Sequence, residues 1–311
     1  MEALRVGLDL GGTKLAGVLV DANRKVLASA NVPTPSHGRW VAATMLELID
    51  SLTSSVNADK ARIEFLGVGL AGLIGDDEKI HSSTHVPGLA GVDLRAELSE
   101  SANWRVHLEN DVHCAAITAL ENGGKSFVLV TVGTGLGGAI VLSGALQRGA
   151  RGFAGEVGHM IVVAGGELCL CGKRGCVEAY ASGRALTLRV EREFARGRLS
   201  EFVDPAKPTR IPTPKQVMEG CGENEAAREI VEEFCFYLGV AISNLLEFGD
   251  FERVLIGGGV SESFDYFASE LREQYQLVMS PSRMRSDVEI SRVEFGPLAG
   301  AIGATRLIEI I

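Results

Sequence analysis

Short apolar runs separated by glycine-containing turns dominate the first part of the chain. A short hydrophobic run bounded by turn residues is typical of a β-strand. Such runs predict strands at residues 4–10, 18–20, 26–32, 65–70 and 106–108. Residues 40–52 instead repeat their apolar positions with the period of a helix. Strands that alternate with helical segments predict an α/β fold.

The combination of strand, glycine turn and strand occurs twice. The first copy contains the turn Gly11-Gly12-Thr13-Lys14, and the second contains a glycine-rich turn at 133–138 between strands predicted at 127–132 and 139–142. Each turn holds a threonine, Thr13 or Thr134, although the two copies share little residue identity. The repetition indicates an internal duplication of the fold unit. Later segments predict helices at 185–196, 225–246 and 298–308, and a strand at 253–256.

Length, composition and charge limit the class of protein. A chain of 311 residues is long for one hydrophobic core, so two subdomains are expected. The net charge of −10 argues against a nucleic-acid surface, which needs concentrated Lys and Arg. It does not exclude ATP, because backbone N–H groups and Mg²⁺ can hold phosphates.

The sequence shows no signal for a membrane or for export. No apolar run reaches the roughly 20 residues that cross a bilayer, and the N-terminus leads into a strand without a signal-peptide pattern. We therefore expect a cytoplasmic protein with no membrane partner. Its six cysteines are not expected to form disulfides in that compartment.

The first glycine turn, residues 11–14, has the features of a phosphate-binding loop. Glycines allow a polyphosphate to approach the backbone closely, and successive N–H groups form an anion-binding nest. Thr13 adds a hydroxyl donor, and Asp9 at the end of the strand is placed to orient water bound to Mg²⁺. The alternative is an ordinary hairpin turn.

The second glycine turn, residues 133–138, contains the pattern G-x-G-x-x-G. A dinucleotide site requires a helix after that pattern, whereas Ala139-Ile140-Val141-Leu142 is strand-like. A phosphate clamp between two strands fits better than a Rossmann site. A Walker A motif also fails, because Ala119 stands where its first glycine would be.

Glu109-Asn110-Asp111 lies where a predicted strand gives way to a helix. Ligands in α/β folds bind at the carboxyl ends of strands, and Asp111 is placed to accept a proton from a sugar hydroxyl. The alternative is helix capping, for which Asn and Asp are favoured.

One histidine and three cysteines have the spacing of a metal site. His159, Cys169, Cys171 and Cys176 form a complete tetrahedral Zn²⁺ set that leaves no position for a catalytic water, so the zinc would be structural. The alternative is a group of free thiols. Glu156 and Glu178 flank the set and suit hydrogen bonding to sugar hydroxyls, or are simply exposed acids.

Taken together, these motifs resemble the ROK family of bacterial sugar kinases and sugar-responsive repressors, over nearly the whole chain. Glu156-Val157-Gly158-His159 matches the family's E-x-G-H, and residues 169–178 match its C-x-C-G-x-x-G-C-x-E. Residues 9–14 and 133–138 resemble its two phosphate motifs. Gly257-Gly258-Gly259 resembles the glycine turn on the adenosine side, and residues 299–304 resemble the closing helix.

The resemblance implies an actin-like ATPase fold of the ribonuclease H-like type, with two lobes and a cleft between them. We expect a small lobe from residues 1–115 plus 297–311, and a large lobe from 116–296 that carries the zinc-binding loop. ATP and Mg²⁺ would be held by the following residues: Asp9, Gly11, Gly12, Thr13, Lys14, Thr134, Gly135, Gly137, Gly257, Gly258 and Gly259.

The resemblance also implies the sugar site. It makes Asp111 the general base, and it makes the following residues contact the sugar: Asn110, Asp111, Glu156, His159 and Glu178. His159 would bind zinc with one ring nitrogen and the sugar with the other. Two departures from the family pattern bear on this site. Val112-His113 replace the usual Ala-Asn after the aspartate, and His85 replaces a sugar-contacting asparagine.

The implied activity is phosphorylation of a hexose at its 6-hydroxyl, with glucose as the first expectation. N-acetylmannosamine, N-acetylglucosamine and fructose are alternative substrates, and polyphosphate is an alternative donor. A repressor or other non-catalytic sugar-binding role is less favoured, because the first strand begins by Leu4 and leaves no room for a helix-turn-helix region. We expect a homodimer or homotetramer with no nucleic-acid partner.

Overall fold

The computed structural model describes residues 3–83, 86–102, 104–120, 124–204, 206–207, 209–279, 288–293, 296 and 298–309. The predicted sugar residue His85 lies outside these described residues. Both α-helices and β-strands are present throughout the described chain, as the hydrophobic pattern predicts.

The strands are short and lie mainly in two groups along the chain. In order they are β1 (Leu4–Leu10), β2 (Lys14–Asp21), β3 (Val26–Pro33), β4 (Ile63–Leu70), β5 (Leu73–Ile74), β6 (Ile80–Ser82), β7 (Arg105–Asn110), β8 (Phe127–Val132), β9 (Leu136–Leu142), β10 (Ala145–Leu146), β11 (Arg253–Gly257) and β12 (Glu289–Arg292).

The helices range from one turn to seven. In order they are α1 (Val41–Ser55), α2 (Leu94–Ser101), α3 (Asp111–Ala119), α4 (Glu178–Ala181), α5 (Gly183–Ala195), α6 (Pro214–Glu219), α7 (Glu225–Gly249), α8 (Phe264–Val278) and α9 (Ala299–Ala304). Among the described residues, none of these helices combines the length and the apolar character that crossing a membrane requires.

The first sheet has the strand order β3-β2-β1-β4-β7. Strands β1, β2 and β3 pair antiparallel, whereas β1, β4 and β7 run parallel. The central strand β1 is buried at most positions, and its two charged residues, Arg5 and Asp9, are the less buried ones. Helix α1 covers this sheet with a stripe of apolar side chains at helical spacing, namely Met45, Leu48, Ile49 and Leu52.

The second sheet has the order β10-β9-β8-β11-β12, and β8, β11 and β12 run parallel. In each sheet the first strand, β1 or β8, is followed by a tight turn and a returning strand, β2 or β9, on one side of it. Later parallel strands lie on its other side, β4 and β7 in the first sheet and β11 and β12 in the second. The repeated order confirms the duplication that the sequence indicates, and the fold is of the predicted actin-like type. Helices α7 and α8 pack together in this half, where Phe234 and Phe267 make an edge-to-face contact.

Contacts between Cα atoms divide the chain into two compact units. The first unit is Met1–Lys125, Ala139–Ala154 and Glu294–Ile311, and the second is Ser126–Gly138 and Gly155–Val293. Strand β9 passes from the second unit to the first after Gly138. Residues 116–125 and 139–154, which the sequence analysis assigns to the large lobe, lie in the first unit. The lobe boundaries themselves stay a prediction.

Helix α9 packs against the first sheet through backbone contacts. A Cβ atom added at Gly7 on β1 would meet the carbonyl of Ala301, and one at Gly67 on β4 would meet the carbonyl of Ala304. On its other side, Gly303 leaves no space for a Cβ beside the carbonyl of Cys114 in α3. Only glycine permits approaches this close. The small residues of α9 thus bring this helix against the middle of β1, β4 and α3.

Candidate functional site

The predicted residues of the first unit meet at the carboxyl edge of its sheet. The parallel register aligns Leu10 of β1 with Leu70 of β4 and with Asn110 of β7. Asp9 and Asp111 are consequently separated by β4 alone. Gly69 of β4 has no side chain to fill this space, and a Cβ there would lie 3.4 Å from the Asp111 Cα. The fold therefore brings together two carboxylates that are 102 positions apart in the sequence.

Asp9 has an unusual protonation equilibrium for a carboxyl group. Burial, and secondly the negative charge of Asp111, raise its pKa from 3.8 to about 7, although Lys14 opposes the shift. Gly300 of α9 borders the same carboxyl group, since a Cβ there would lie 2.6 Å from the Asp9 Cγ. A cation beside Asp9 and Asp111 would favour the ionised form of both. This arrangement is suited to a metal-bound phosphate.

Asn110 caps helix α3 and leaves Asp111 as the first helical residue. The Asn110 Oδ1 accepts hydrogen bonds from the backbone N–H groups of Val112 at 2.9 Å and His113 at 3.2 Å. Its Nδ2 donates to the Gly72 carbonyl at 3.0 Å. Asn110 therefore supplies the helix cap that the sequence analysis considered for this segment, and the Asp111 Oδ1 also accepts from the Val112 N–H at 3.0 Å. A side chain in the first turn of a helix is also well placed to carry negative charge.

The first glycine turn is held by hydrogen bonds within the first unit. Gly11 donates to the Lys14 carbonyl at 3.0 Å, and the Thr34 hydroxyl donates to the Gly11 carbonyl at 2.7 Å. The Thr34 N–H donates to the Thr13 carbonyl at 3.1 Å. Gly12, Thr13 and Lys14 are exposed, which leaves the turn accessible to a ligand.

The other two glycine turns lie side by side in the second unit. The second turn follows β8 and the turn at Gly257-Gly258-Gly259 ends β11, and these strands are paired in parallel. Gly258 has φ +81° and packs on the backbone of Val132, where a Cβ would lie 2.5 Å from the carbonyl oxygen. The second turn leads into β9 and not into a helix, so the rejection of a Rossmann site is confirmed.

Glu178 connects the second glycine turn to the metal-ligand segment. Its Oε2 accepts a hydrogen bond from the Leu136 N–H at 3.0 Å, and its Oε1 lies 3.5 Å from the Cys169 Sγ. Gly135 has no space for a side chain because this carboxylate occupies it. Glu178 therefore lies within the site that the sequence predicts, with one oxygen engaged by the turn.

His159, Cys169, Cys171 and Cys176, the metal cluster, converge as predicted. Their ligand atoms all lie within 4.8 Å of one another. The Cys171 and Cys176 sulfurs are 3.7 Å apart, and the Cys169 sulfur is 3.7 Å from the His159 Nδ1. Zn–S bonds of about 2.3 Å in a tetrahedron would separate neighbouring ligand atoms by about 3.8 Å. The four side chains thus fit a zinc ion.

The thiols of the metal cluster differ in acidity. Burial raises the pKa of Cys169 to about 12, and burial also raises that of Cys176 above its ordinary value. Desolvation acts in the same direction on Cys171, but hydrogen bonds from the Lys173 backbone and the neighbouring thiols outweigh it and lower the pKa. Zinc binds thiolates, so its binding would displace the protons of the buried thiols.

Several apolar side chains of the loop that carries the metal cluster are exposed, and backbone bridges and hydrogen bonds hold it. It contains isolated β-bridges between Ile161 and Cys176 and between Leu168 and Arg174. The Tyr180 hydroxyl accepts a hydrogen bond from the Glu167 N–H at 2.7 Å, and the Tyr180 ring stacks on Tyr237 at 4.2 Å. Tyr180 was not predicted from the sequence.

His159 presents its two nitrogens to different groups. Nδ1 faces the cysteines, whereas Nε2 lies 3.7 Å from the Glu156 Oε2. Both side chains are partly exposed on this side. The arrangement suits one nitrogen for a metal and the other for a polar ligand, as the sequence analysis expects.

The predicted residues therefore form two sets, one in each unit. Asp9, the first glycine turn, Asn110 and Asp111 belong to the first unit. The other two glycine turns, Glu156, Glu178 and the metal cluster belong to the second unit. Two contacts were not predicted from the sequence: Gly300 borders Asp9, and Arg148 is bonded to Glu109. In both cases the two partners are distant in the chain.

Comparisons with known proteins agree with this geometry. The family model described as ROK family matches residues 5–310. A glucokinase from Streptomyces coelicolor is 31% identical, over 98% of this chain and 97% of that enzyme. An N-acetylmannosamine kinase from Haemophilus influenzae is 32% identical, over 96% of this chain and 93% of that enzyme.

A solved structure resembles the whole chain. The ROK family glucokinase from Streptomyces griseus, in complex with glucose and AMPPNP, superimposes with a TM-score of 0.84 at 27% identity. The match covers 98% of this chain and 99% of that enzyme. The fold, the site residues and the family model lead to one conclusion: this chain is a member of the ROK family.

Proposed function

We propose that the chain transfers the γ-phosphoryl group of ATP to the 6-hydroxyl of a hexose, with glucose as its substrate. An ATP-dependent sugar kinase is the activity that accompanies its family and its glucokinase and N-acetylmannosamine kinase relatives. The position of the reacting hydroxyl and the identity of the hexose are our proposal. The relatives named glucokinase are the reason for placing glucose first.

The placement of Asp111 is the observation that carries this proposal. Asn110 supplies the helix cap, and Asp111 stands in the first turn of α3 at the carboxyl edge of the sheet, near Asp9. A general base must reach the proton that it removes, and this edge is where ligands bind in such sheets. We assign Asp111 the removal of the hydroxyl proton as the oxygen attacks the phosphorus.

The nucleotide would be held by backbone groups more than by side-chain charge. The exposed first glycine turn supplies N–H groups and the Thr13 hydroxyl, and the second glycine turn contributes Thr134, Gly135 and Gly137. Gly257, Gly258 and Gly259 would receive the adenosine portion. Mg²⁺, when bound, neutralises charge on the phosphates, and Asp9 would orient its water ligands.

The sugar would be held by carboxylates, an amide and imidazoles. We propose Asn110, Glu156, His159, Glu178 and His85 for this role. A structural zinc on the metal cluster would fix the His159 ring, so that Nε2 faces the Glu156 side with a defined orientation. Zinc takes no part in the phosphoryl transfer itself.

Replacing Asp111 tests the assignment of the base. We expect Asp111→Asn to lower kcat by about 10²- to 10⁴-fold, the usual contribution of a positioned general base, with KM for ATP nearly unchanged. The measurement is ADP release coupled to NADH oxidation, with zinc content and melting temperature as controls for folding. A variant that keeps more than a tenth of the wild-type kcat would remove Asp111 from this role.

N-acetylmannosamine is a second candidate substrate, favoured by the relative that is 32% identical over 96% of this chain. A panel of glucose, mannose, fructose, N-acetylglucosamine and N-acetylmannosamine decides between the two through kcat/KM. Repeating the panel with polyphosphate in place of ATP identifies the donor. Phosphorylation of N-acetylmannosamine ahead of glucose would overturn the proposed substrate and leave the kinase assignment intact.

A further inference from the structure

Four residues of the first unit are joined in a closed ring of hydrogen bonds beneath Asp111. The Arg148 Nε donates to the Glu109 Oε2 at 2.5 Å, and the His113 Nδ1 lies 3.0 Å from the Glu109 Oε1. The His113 Nε2 lies 3.0 Å from the Ala154 carbonyl oxygen. The ring closes because the Ala154 N–H donates to the Arg148 carbonyl at 3.0 Å.

Two members of this ring of hydrogen bonds, His113 and Glu109, are buried, and Arg148 is partly exposed. His113 is 1% exposed and Glu109 is 5% exposed. Buried ionic groups are rare unless each is paired and hydrogen-bonded, and here every oxygen of Glu109 has a donor. Its second donor on Oε1 is the Asn110 N–H at 2.9 Å.

The acceptors on either side of His113 fix where its protons are. A carbonyl oxygen only accepts, so Nε2 must donate to Ala154. A carboxylate also only accepts, so Nδ1 must donate to Glu109 as long as Glu109 is ionised. Burial raises the pKa of Glu109, but the hydrogen bond and charge of His113, followed by the charge of Arg148, outweigh it and lower the pKa below its ordinary value. With Glu109 ionised, both neighbours of the His113 imidazole are hydrogen-bond acceptors.

The same ring of hydrogen bonds holds the backbone conformation around Asp111. Glu109 and His113 bracket this residue, and Glu109 bonds to the Asn110 N–H while Asn110 caps the Val112 and His113 N–H groups. Loss of the His113 imidazole would remove one of the two donors to Glu109 Oε1 and the side-chain donor to the Ala154 carbonyl. The first helical turn would then be held from one side only.

We infer that His113 is a positioning residue of the kinase. Its imidazole carries both ring protons, and its two hydrogen bonds thereby join the Glu109–Asp111 segment to Ala154 and, through Glu109, to Arg148. The inference rests on the proposed role of Asp111 as the base. It gives a purpose to one of the two departures from the family pattern, because an asparagine at this position is too short to reach both acceptors. Only a ring with donors at opposite ends can join Glu109 to Ala154.

The protonation of His113 can be measured without any assay of activity. A long-range ¹H–¹⁵N correlation spectrum of uniformly labelled protein at pH 7.5 should show both ring nitrogens of one histidine as protonated. The signals are assigned by their loss in His113→Gln. A spectrum in which no histidine has both ring nitrogens protonated would overturn the inference, even if the variants fail to fold.

Kinetics of His113→Gln and His113→Asn test the positioning role. We expect kcat to fall about 10- to 100-fold, the scale of a misplaced catalytic group, while KM for the hexose and for ATP changes by less than about threefold. The matched control is His107→Gln. His107 is also buried, and its Nδ1 lies 2.6 Å from the Glu78 carboxylate, but it is not part of the ring.

The two sets of variants separate the inference from the proposed function. If His113→Gln keeps more than half of the wild-type kcat, or if His107→Gln loses as much kcat, the positioning role is wrong. If Asp111→Asn is fully active, the proposed base is wrong, whereas the NMR result for His113 still stands or falls by itself.

Discussion

Asp9 illustrates how a single side chain is adapted to a ligand at a cost to the free protein. Its pKa of about 7 means that the folded chain, without a cation, takes up a proton that the unfolded chain has already released above pH 3.8. The free energy of unfolding therefore falls, through Asp9, as the pH rises from about 4 to 7. The fall is complete once the pH is above the pKa of Asp9 in the folded chain. Nearby Asp111 adds to the effect.

Replacing Asp9 should stabilise the ligand-free protein in alkaline solution. We expect Asp9→Asn to raise the free energy of unfolding by roughly 2 to 4 kcal/mol at pH 8, and by far less at pH 4.5. Urea unfolding at the two pH values measures this difference. Equal effects at both values would show that Asp9 is ionised in the folded chain throughout.

At the residue scale, the sequence revealed the chemical groups but not their neighbours. Asp9, Asp111 and the metal cluster were found because each lies in a motif of a few consecutive or closely spaced positions. Glu109 and His113 lie in the same stretch, yet their partner Arg148 is 39 positions from Glu109. Local spacing holds no signal for such a bond. The assignment of the helix cap to Asn110 likewise needed the structure.

At the scale of elements, long periodic segments were predictable and short ones were not. Strand β8 and helix α7 start at the predicted residues, and α1 and β11 lie within one to three residues of their predicted bounds. Strands β5 and β6 contain only two and three residues, too few to show alternation. Helix α8 was missed although its buried residues, Phe264, Phe267, Leu271 and Tyr275, follow a helical period.

Zinc on the metal cluster would hold the loop that carries the four ligands. We expect one zinc per chain, and we expect Cys176→Ser to lose it and to raise KM for the hexose about tenfold or more, because His159 and Glu178 would lose their orientation. Metal analysis and steady-state kinetics measure the two effects.

Cys235→Ser provides the control for this prediction. Cys235 is also a buried thiol, but it lies in α7 outside the metal cluster. Zinc retained at full stoichiometry in Cys176→Ser, or missing from the wild-type protein, would defeat the assignment of the cluster.

At the scale of the whole molecule, the two copies of the duplicated fold unit carry different candidate site residues. Two sheets share one strand order, yet the first holds the Asp9 and Asp111 carboxylates and the second holds two glycine turns and the metal cluster. The sequence indicated the duplication through its repeated turns. It could not show that β9 begins in one unit and ends in the other, because a change of unit leaves the alternation of a strand unchanged.

Ligand binding should register in the stability of the whole chain. A hexose at about 100 times its Kd adds about 2.7 kcal/mol to the free energy of unfolding. We expect 6-deoxyglucose to raise the melting temperature as glucose does, but to give no ADP release, because it lacks the hydroxyl that would be phosphorylated. ADP release with 6-deoxyglucose above the rate without sugar would contradict transfer to the 6-hydroxyl.

The close packing of α9 on Gly7 and Gly67 also bears on how the chain is made. A ribosome completes β1 and β4 long before it reaches residues 299–304, which cover those glycines. At about 5–20 residues per second, roughly 10 to 50 s separate the synthesis of Gly67 from that of α9. During that interval the first sheet lacks one of its faces. The first sheet of the nascent chain therefore stays incomplete until residues 299–304 have been made, and the first unit closes only after them.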